Sequence, residues 1–67
     1  MFIKDVCIEC KLTKKAVEYY EQQGLISPRI EDNGYRNYSN EDISALKEIG
    51  VLRKLGISIA EIKDILA

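Results

Sequence analysis

Residues 12–24, Leu-Thr-Lys-Lys-Ala-Val-Glu-Tyr-Tyr-Glu-Gln-Gln-Gly, contain the signals of one short amphipathic helix and decide the fold. Thr13 is a good N-cap because its hydroxyl can accept a hydrogen bond from a free backbone N–H of the first turn. Gly24 supplies the left-handed residue at which helices commonly end. The helix is therefore predicted to run from Thr13 to about Gln23. Its predicted buried side comprises Leu12, Ala16, Val17 and Tyr20, and its outer side carries Lys14, Lys15, Glu18, Tyr19, Glu21 and Gln22.

A shorter helix precedes this one. Ile3, Val6, Cys7 and Cys10 follow the i, i+3, i+4, i+7 spacing of a helical apolar stripe, which predicts a helix over residues 3–10. Two helices joined by about three residues have the layout of a helix-turn-helix, whose second helix can enter the major groove of DNA. We therefore expect the second helix to be a recognition helix.

A β-hairpin is predicted to follow the second helix. Asn33-Gly34 is a strong signal for a type I′ turn, in which both residues have positive φ. Ile30, Tyr35 and Tyr38 suit the flanking strands. Since a two-stranded ribbon is only marginally stable alone, it must lean on the helices. Either Ile30 or Tyr38 is expected to make that contact, which gives the motif a wing.

Two further helices are predicted after the hairpin. Ser39 is an N-cap for the third helix, which ends at Gly56. Ser58 and Glu61 form a capping box for the fourth helix. Ile57, before the cap, and Ile62, after it, fit a hydrophobic staple at the start of that helix. The predicted apolar residues are Ile43, Leu46, Ile49, Leu52 and Leu55 in the third helix and Ile59, Ile62, Ile65 and Leu66 in the fourth.

The predicted fold class is mostly α, a winged helix-turn-helix with a two-stranded hairpin wing and a C-terminal helical pair. Residues 1–67 form one domain, in which residues 1–38 are the helix-turn-helix plus wing and residues 39–67 are the supporting helical pair. The composition, 46% hydrophobic and 31% charged, is that of a soluble globular protein. The sequence shows no apolar run of about 18 residues and no signal peptide, so a cytoplasmic location is expected.

Metal, cofactor and enzymatic roles are not expected. Cys7 and Cys10 are the only cysteines, and the chain has no histidine, whereas a zinc site usually needs four ligands. A redox CxxC normally follows a strand, which is absent here. Both thiols are therefore predicted to be small core residues. No Gly-rich phosphate loop or catalytic cluster is present.

Basic and aromatic residues on the recognition helix and wing favour DNA binding. Lys14 and Lys15 lie near the start of that helix, and Arg36 lies just after the hairpin turn. Lysine and arginine attract phosphates, and tyrosine hydroxyls donate to phosphate oxygens. The net charge of −1 and the acidic Glu18 support a different class, a protein-interaction module.

Three motifs resemble the signatures of MerR-family transcription regulators. Val17-Glu18-Tyr19-Tyr20-Glu21, with Gly24-Leu25-Ile26 and Pro28, resembles "RYYE…GL…P". Residues 33–39, with Asp42, resemble "GYRxYS…D". Residues 55–58, with Glu61-Ile62 and Ile65-Leu66, resemble "LGFSLEEI…L". Together the motifs cover nearly the whole chain in the family's order and spacing.

The resemblance implies double-stranded DNA as the partner, with the second helix in the major groove and the hairpin against the phosphates. Tyr19, Tyr20 and Arg36 match family positions that touch DNA. Lys14 and Lys15 match variable positions near the base edges. The predicted DNA-binding residues are Lys11, Thr13, Lys14, Lys15, Glu18, Tyr19, Tyr20, Arg36 and Tyr38, and Arg53 and Lys54 are further candidates for a phosphate contact.

Two residues depart from the family pattern. Glu18 replaces an arginine, and it is expected either to read a cytosine amino group or to pair with Lys14 or Lys15. Lys11 replaces a glycine in the turn between the first two helices. A left-handed residue other than glycine costs about 1 kcal/mol there.

The resemblance also implies partners beyond DNA. Family members continue into a long dimerisation helix and an effector-binding domain, so a homodimer is expected only through a helix absent from this chain. They act on RNA polymerase indirectly, by deforming promoter DNA. The alternatives are an excisionase-like recombination accessory factor and the protein-interaction module; no membrane partner is expected.

Overall fold

The computed structural model describes all 67 residues, as four helices and one two-stranded hairpin. No helix combines the length and the apolar character needed to cross a membrane. The predicted order of elements, and hence the fold class, is confirmed. The elements are α1 (Ile3–Cys10), α2 (Lys14–Gln22), β1 (Arg29–Ile30), β2 (Arg36–Asn37), α3 (Asn40–Lys54) and α4 (Ile59–Leu66).

The turn between α1 and α2 depends on a left-handed residue. Lys11 has φ 55° and ψ 45° and is the only non-glycine residue with positive φ. Its backbone N–H donates to the carbonyl oxygen of Cys7 and so caps α1. Thr13 then begins α2, since its Oγ1 accepts from the Ala16 N–H at 3.1 Å. Both the strained turn and the Thr13 cap were predicted from the sequence and are confirmed.

The core forms where α1 packs against α2 and α3, and α4 packs against α3. Tyr20 is buried and Tyr19 is exposed, as the helical period predicts. Cys7 and Cys10 are free thiols that are partly buried and pack at the margin of the core. Their predicted role as small core residues is therefore confirmed only in part, because they pack against the core and are not among its buried members. The buried hydrophobic residues are Val6, Val17, Tyr20, Ile26, Tyr38, Ile43, Leu46, Ile49 and Ile62.

Two residues assigned to apolar stripes lie outside the core. Leu55, the C-cap of α3, lies one residue beyond the helix and is 71% exposed. Ile65 is also exposed. At 3.6 residues per turn, Ile59 and Leu66 fall to one side of the fully buried Ile62, whereas Ile65 falls to the other. Periodicity alone did not indicate which flank α3 covers.

The hairpin exists, but its turn differs from the prediction. The strands pair antiparallel, with Ile30 opposite Arg36. The Gly34 N–H donates to the Glu31 carbonyl at 2.8 Å, and Gly34 alone in the turn has positive φ. This is a three-residue connection ending in a left-handed glycine, so the type I′ prediction is wrong. Asn33 does not have positive φ, and its side-chain Oδ1 accepts a hydrogen bond from the Tyr35 N–H.

Tyr38 attaches the wing, which we define as residues 29–37, to the helices. Its side chain is only 3% exposed, whereas Ile30 is largely exposed. Of the two predicted contacts, the structure therefore uses Tyr38. The Tyr38 N–H also donates to the Met1 carbonyl at 2.7 Å, which places the start of the chain beside the end of the wing.

The buried carboxylate of Asp42 joins two segments of backbone. One oxygen accepts from the Ser39 N–H at 3.0 Å, and the Ser39 hydroxyl accepts from the Asp42 N–H, which completes a capping box. The other oxygen accepts from the Ser27 N–H at 3.2 Å. The segment that follows α2 is thereby held at the start of α3.

We expect Asp42→Ala to lower the free energy of unfolding by about 2 kcal/mol, because it removes a helix cap and leaves two backbone N–H groups without their partner. Urea unfolding followed by far-UV circular dichroism measures the loss. Glu41→Ala is the matched control, since Glu41 is exposed on the same turn. An equal loss in both variants would contradict the role assigned to Asp42.

We expect Lys11→Gly to raise the free energy of unfolding by about 0.5 kcal/mol, because glycine relieves left-handed strain at some cost in chain entropy. Lys11→Ala removes the same charge but keeps the Cβ atom, so it should give no gain. The same urea experiment compares the two variants. Equal stability of the glycine and alanine variants would show that the turn is not strained.

Candidate nucleic-acid interface

A concave surface, here called the α2–wing groove, lies between the second helix and the hairpin. Its floor and walls combine residues that are far apart in the sequence. Five of the predicted site residues do not line it. Lys11, Thr13 and Lys15 lie exposed at or before the start of α2, and Tyr19 and Tyr20 lie further along that helix. The lining residues are Ile3, Lys14, Glu18, Glu21, Gln22, Gly34, Tyr35, Arg36 and Tyr38.

Cations that have no acidic partner lie in the first turn of α2 and in the turn just before it. Lys11, Lys14 and Lys15 are exposed, and the two ion pairs of the structure involve other residues. The N-terminus of a helix already has a partial positive charge from its backbone N–H groups. This end of α2 therefore favours an anion, even though the chain as a whole has a net charge of −1.

Arg36 lies on β2 and forms an ion pair with Glu21 across the groove. Its Nε–H donates to both carboxylate oxygens, at 2.8 and 2.9 Å. The pair raises the pKa of the Arg36 guanidinium, because the hydrogen bond and the charge of Glu21 stabilise its cationic form. Sequence reasoning missed Glu21 because no helical or strand period relates residues on two different elements.

Glu18 lies one turn before Glu21 and lines the same groove. It forms no ion pair with Lys14 or Lys15, so the predicted pairing is wrong. Its exposed carboxylate remains available as a hydrogen-bond acceptor. The reading of a cytosine amino group stays a prediction.

The tyrosines divide between surface and core. Tyr19 is exposed, and its ring meets that of Tyr20 edge to face, with centroids 5.8 Å apart. The rings of Tyr20 and Tyr38 are buried. The hydroxyl groups of Tyr20 and Tyr38 form no hydrogen bond within the chain, whereas every fully buried side-chain oxygen does. Both hydroxyl groups therefore reach the surface, where each can donate to a ligand.

Burial raises the pKa of the Tyr38 hydroxyl above its ordinary value of 10.0, and the nearby Glu21 carboxylate raises it further. The hydroxyl is therefore protonated at neutral pH. A protonated phenol donates a hydrogen bond, which a phosphate oxygen accepts. Tyr38 thus contributes its ring to the core and a donor to the groove.

Arg53, considered above for a phosphate contact, has a structural partner. Its Nη1 donates to the Ile57 carbonyl at 3.1 Å, beyond the end of α3. The bond satisfies a carbonyl in the connection to α4. Lys54 lies beside it and is exposed.

Comparison with known proteins gives concordant results. The model of the MerR HTH family of regulatory proteins matches residues 1–67. The transcriptional regulator CueR of Yersinia pestis is 37% identical over 68 residues, covering all of this chain and 49% of CueR. The regulator HmrR of Sinorhizobium medicae is 42% identical over 57 residues, covering 84% of this chain and 39% of HmrR. The chain thus spans half or less of the curated relatives it matches.

A solved structure agrees with these relatives. The crystal structure of a protein assigned to the MerR family of transcriptional regulators, from Listeria monocytogenes, superposes with a TM-score of 0.90 at 27% identity. The match covers 98% of this chain and 51% of that one. All three proteins are described as transcriptional regulators, and none is described as an excisionase or an enzyme.

We expect Tyr38 to ionise above pH 10.0 in the folded protein. Its raised pKa contributes stability that is present below the unfolded value and is lost as the pH rises through the folded value. The difference in phenolate absorbance between the wild type and Tyr38→Phe, recorded during an alkaline titration, isolates this group. A difference curve centred at or below the ordinary value would contradict the assignment.

Proposed function

Since the chain belongs to the MerR HTH family, we propose that it binds double-stranded DNA sequence-specifically, as the DNA-binding domain of a transcription regulator. The observation that carries the proposal is the position of free cations at the start of α2, on the helix that forms one wall of the groove opposite Arg36. A helix and a hairpin separated by a groove match the shape of a major groove flanked by a phosphate backbone.

In this proposal α2 is the recognition helix. Lys14 and Lys15 lie at its N-terminal end, where a recognition helix meets the base edges. Lysine can donate to the guanine O6 and N7 atoms. The Glu18 carboxylate can accept from a cytosine amino group one turn further along. These three side chains would set the sequence preference.

The remaining predicted residues would hold the phosphate backbone. Arg36 approaches it from the wing, and the hydroxyl groups of Tyr19, Tyr20 and Tyr38 donate to its oxygens. Such contacts fix the register of the protein on the duplex and carry no sequence information. Lys11 and Thr13 would contact the phosphate at the entrance to the major groove.

We propose further that the domain acts as one of two copies on a two-fold symmetric site, with dimer contacts made by residues outside this sequence. Two domains on half-sites about one helical turn apart give the symmetry that many helix-turn-helix regulators use. Any effect on RNA polymerase would then be indirect, through the shape of the DNA between the half-sites.

Arg36→Ala should weaken binding to all duplexes alike and reduce the slope of log K against log salt concentration by about 1, because one phosphate contact is lost. Lys14→Ala should instead change the order of preference among sequences. Fluorescence anisotropy with a set of labelled duplexes, at several salt concentrations, measures both effects.

Lys63→Ala is the matched control, since Lys63 is an exposed cation on α4. It should leave both the preference and the salt slope unchanged. The proposal fails if the wild type binds no duplex at low salt. The site assignment alone fails if Arg36→Ala and Lys14→Ala bind like the control.

A further inference from the structure

We infer that Glu21 is a positioning residue for DNA binding, whose carboxylate holds the Arg36 guanidinium so that its terminal amino groups are presented to a phosphate. The inference rests on the proposed function. It assigns a role to a carboxylate that, by its charge alone, would repel DNA.

The geometry of the ion pair supports this role. An arginine commonly meets a carboxylate through two parallel N–H groups, which leaves fewer donors for a second partner. Here both Glu21 oxygens accept from the single Nε–H of Arg36. Nη1 and Nη2 form no hydrogen bond within the chain. The Arg36 side chain is still 44% exposed, so these groups are free to meet a phosphate while the pair stays intact.

The pair also joins the two walls of the groove. Each strand of the wing has only two residues, and Tyr35 and Ile30 are exposed rather than packed against α2. Tyr38 holds the base of the wing, and the Arg36–Glu21 pair holds β2 to the recognition helix itself. A phosphate donor on the wing is thereby kept in register with the residues of α2 that face the bases.

Holding the side chain in advance lowers the entropic cost of ordering it on binding. An exposed arginine has many rotamers, and fixing one of them opposes association. Glu21 is the less exposed partner, with its side chain 23% exposed on a helix. The two-point bond from Nε restricts the guanidinium before DNA arrives.

A competing role makes the opposite prediction. If Glu21 merely neutralises Arg36, its removal frees a cation and DNA binding becomes tighter. Asp32 provides the control for charge, since it is an exposed carboxylate in the turn of the wing, forms no ion pair and has no assigned contact with DNA. The effect of losing one negative charge can therefore be measured separately from the loss of the pair.

The test compares the affinities of Glu21→Ala, Asp32→Ala, Arg36→Ala and the double variant Glu21→Ala/Arg36→Ala with that of the wild type. A labelled duplex of randomised sequence averages out base contacts. We expect Glu21→Ala to weaken binding about three- to tenfold, in line with losing one charge-assisted contact, whereas Asp32→Ala does not weaken it. When Arg36 is already alanine, Glu21→Ala should cause no weakening.

Two further readouts separate positioning from a general structural role. Glu21→Gln keeps an acceptor for the Nε–H without the charge, so its affinity should lie between those of the wild type and Glu21→Ala. The Nε–H resonance of Arg36 in the NMR spectrum of the free protein should be protected from exchange in the wild type and lost in Glu21→Ala. Circular dichroism verifies that each variant is folded.

The outcomes distinguish the inference from the function on which it rests. If the wild type binds no DNA, both the proposed function and the inference that rests on it are wrong. If the wild type binds DNA and Glu21→Ala binds it as tightly as Asp32→Ala or more tightly, only the inference is overturned, and Glu21 is a competitor for Arg36. Equal weakening by Glu21→Ala with and without Arg36 would also overturn it.

Discussion

The hydrogen bonds of the Asp42 carboxylate hold together the parts of the molecule on which the binding surface depends. They connect the segment after α2 to the first turn of α3, on either side of the hairpin in sequence. With both ends of the hairpin segment held, Tyr38 reaches the core and the wing stands beside α2. A buried carboxylate can do this because it accepts from two backbone N–H groups that would otherwise lack partners.

The positions of the charged residues in the folded chain, and not their total, indicate a surface that could bind an anionic partner. The net charge of −1 gives no sign of a surface for an anionic partner. Folding leaves Lys11, Lys14 and Lys15 unpaired at one end of α2 and sets Glu21 against Arg36. Other acidic side chains are used elsewhere, as when Glu9 pairs with Lys47 between α1 and α3. The local arrangement of charged side chains therefore matters more for recognition than the net charge.

Sequence reasoning succeeded for most local signals, with the type of the hairpin turn as the exception, and failed where a partner is distant. The Thr13 cap, the left-handed Lys11 and the burial of Tyr20 each depend on neighbours within one turn. The hairpin was found from Asn33-Gly34, but its turn type was wrong, because the Asn33 side chain takes a backbone N–H and only glycine has positive φ. The candidate site residues came from residue type and from family resemblance, whereas Glu21 was overlooked as a partner of Arg36.

The sequence by itself determined the order and approximate bounds of the helices and hairpin and the family to which the chain belongs, since caps, glycines and apolar spacing act over a few residues. Only the tertiary structure decided which flank of α4 is covered, that Tyr38 rather than Ile30 anchors the wing, and that Arg36 meets Glu21. Those outcomes depend on the approach of elements far apart in the chain, and that approach is set by the packing of the whole core and not by any local pattern.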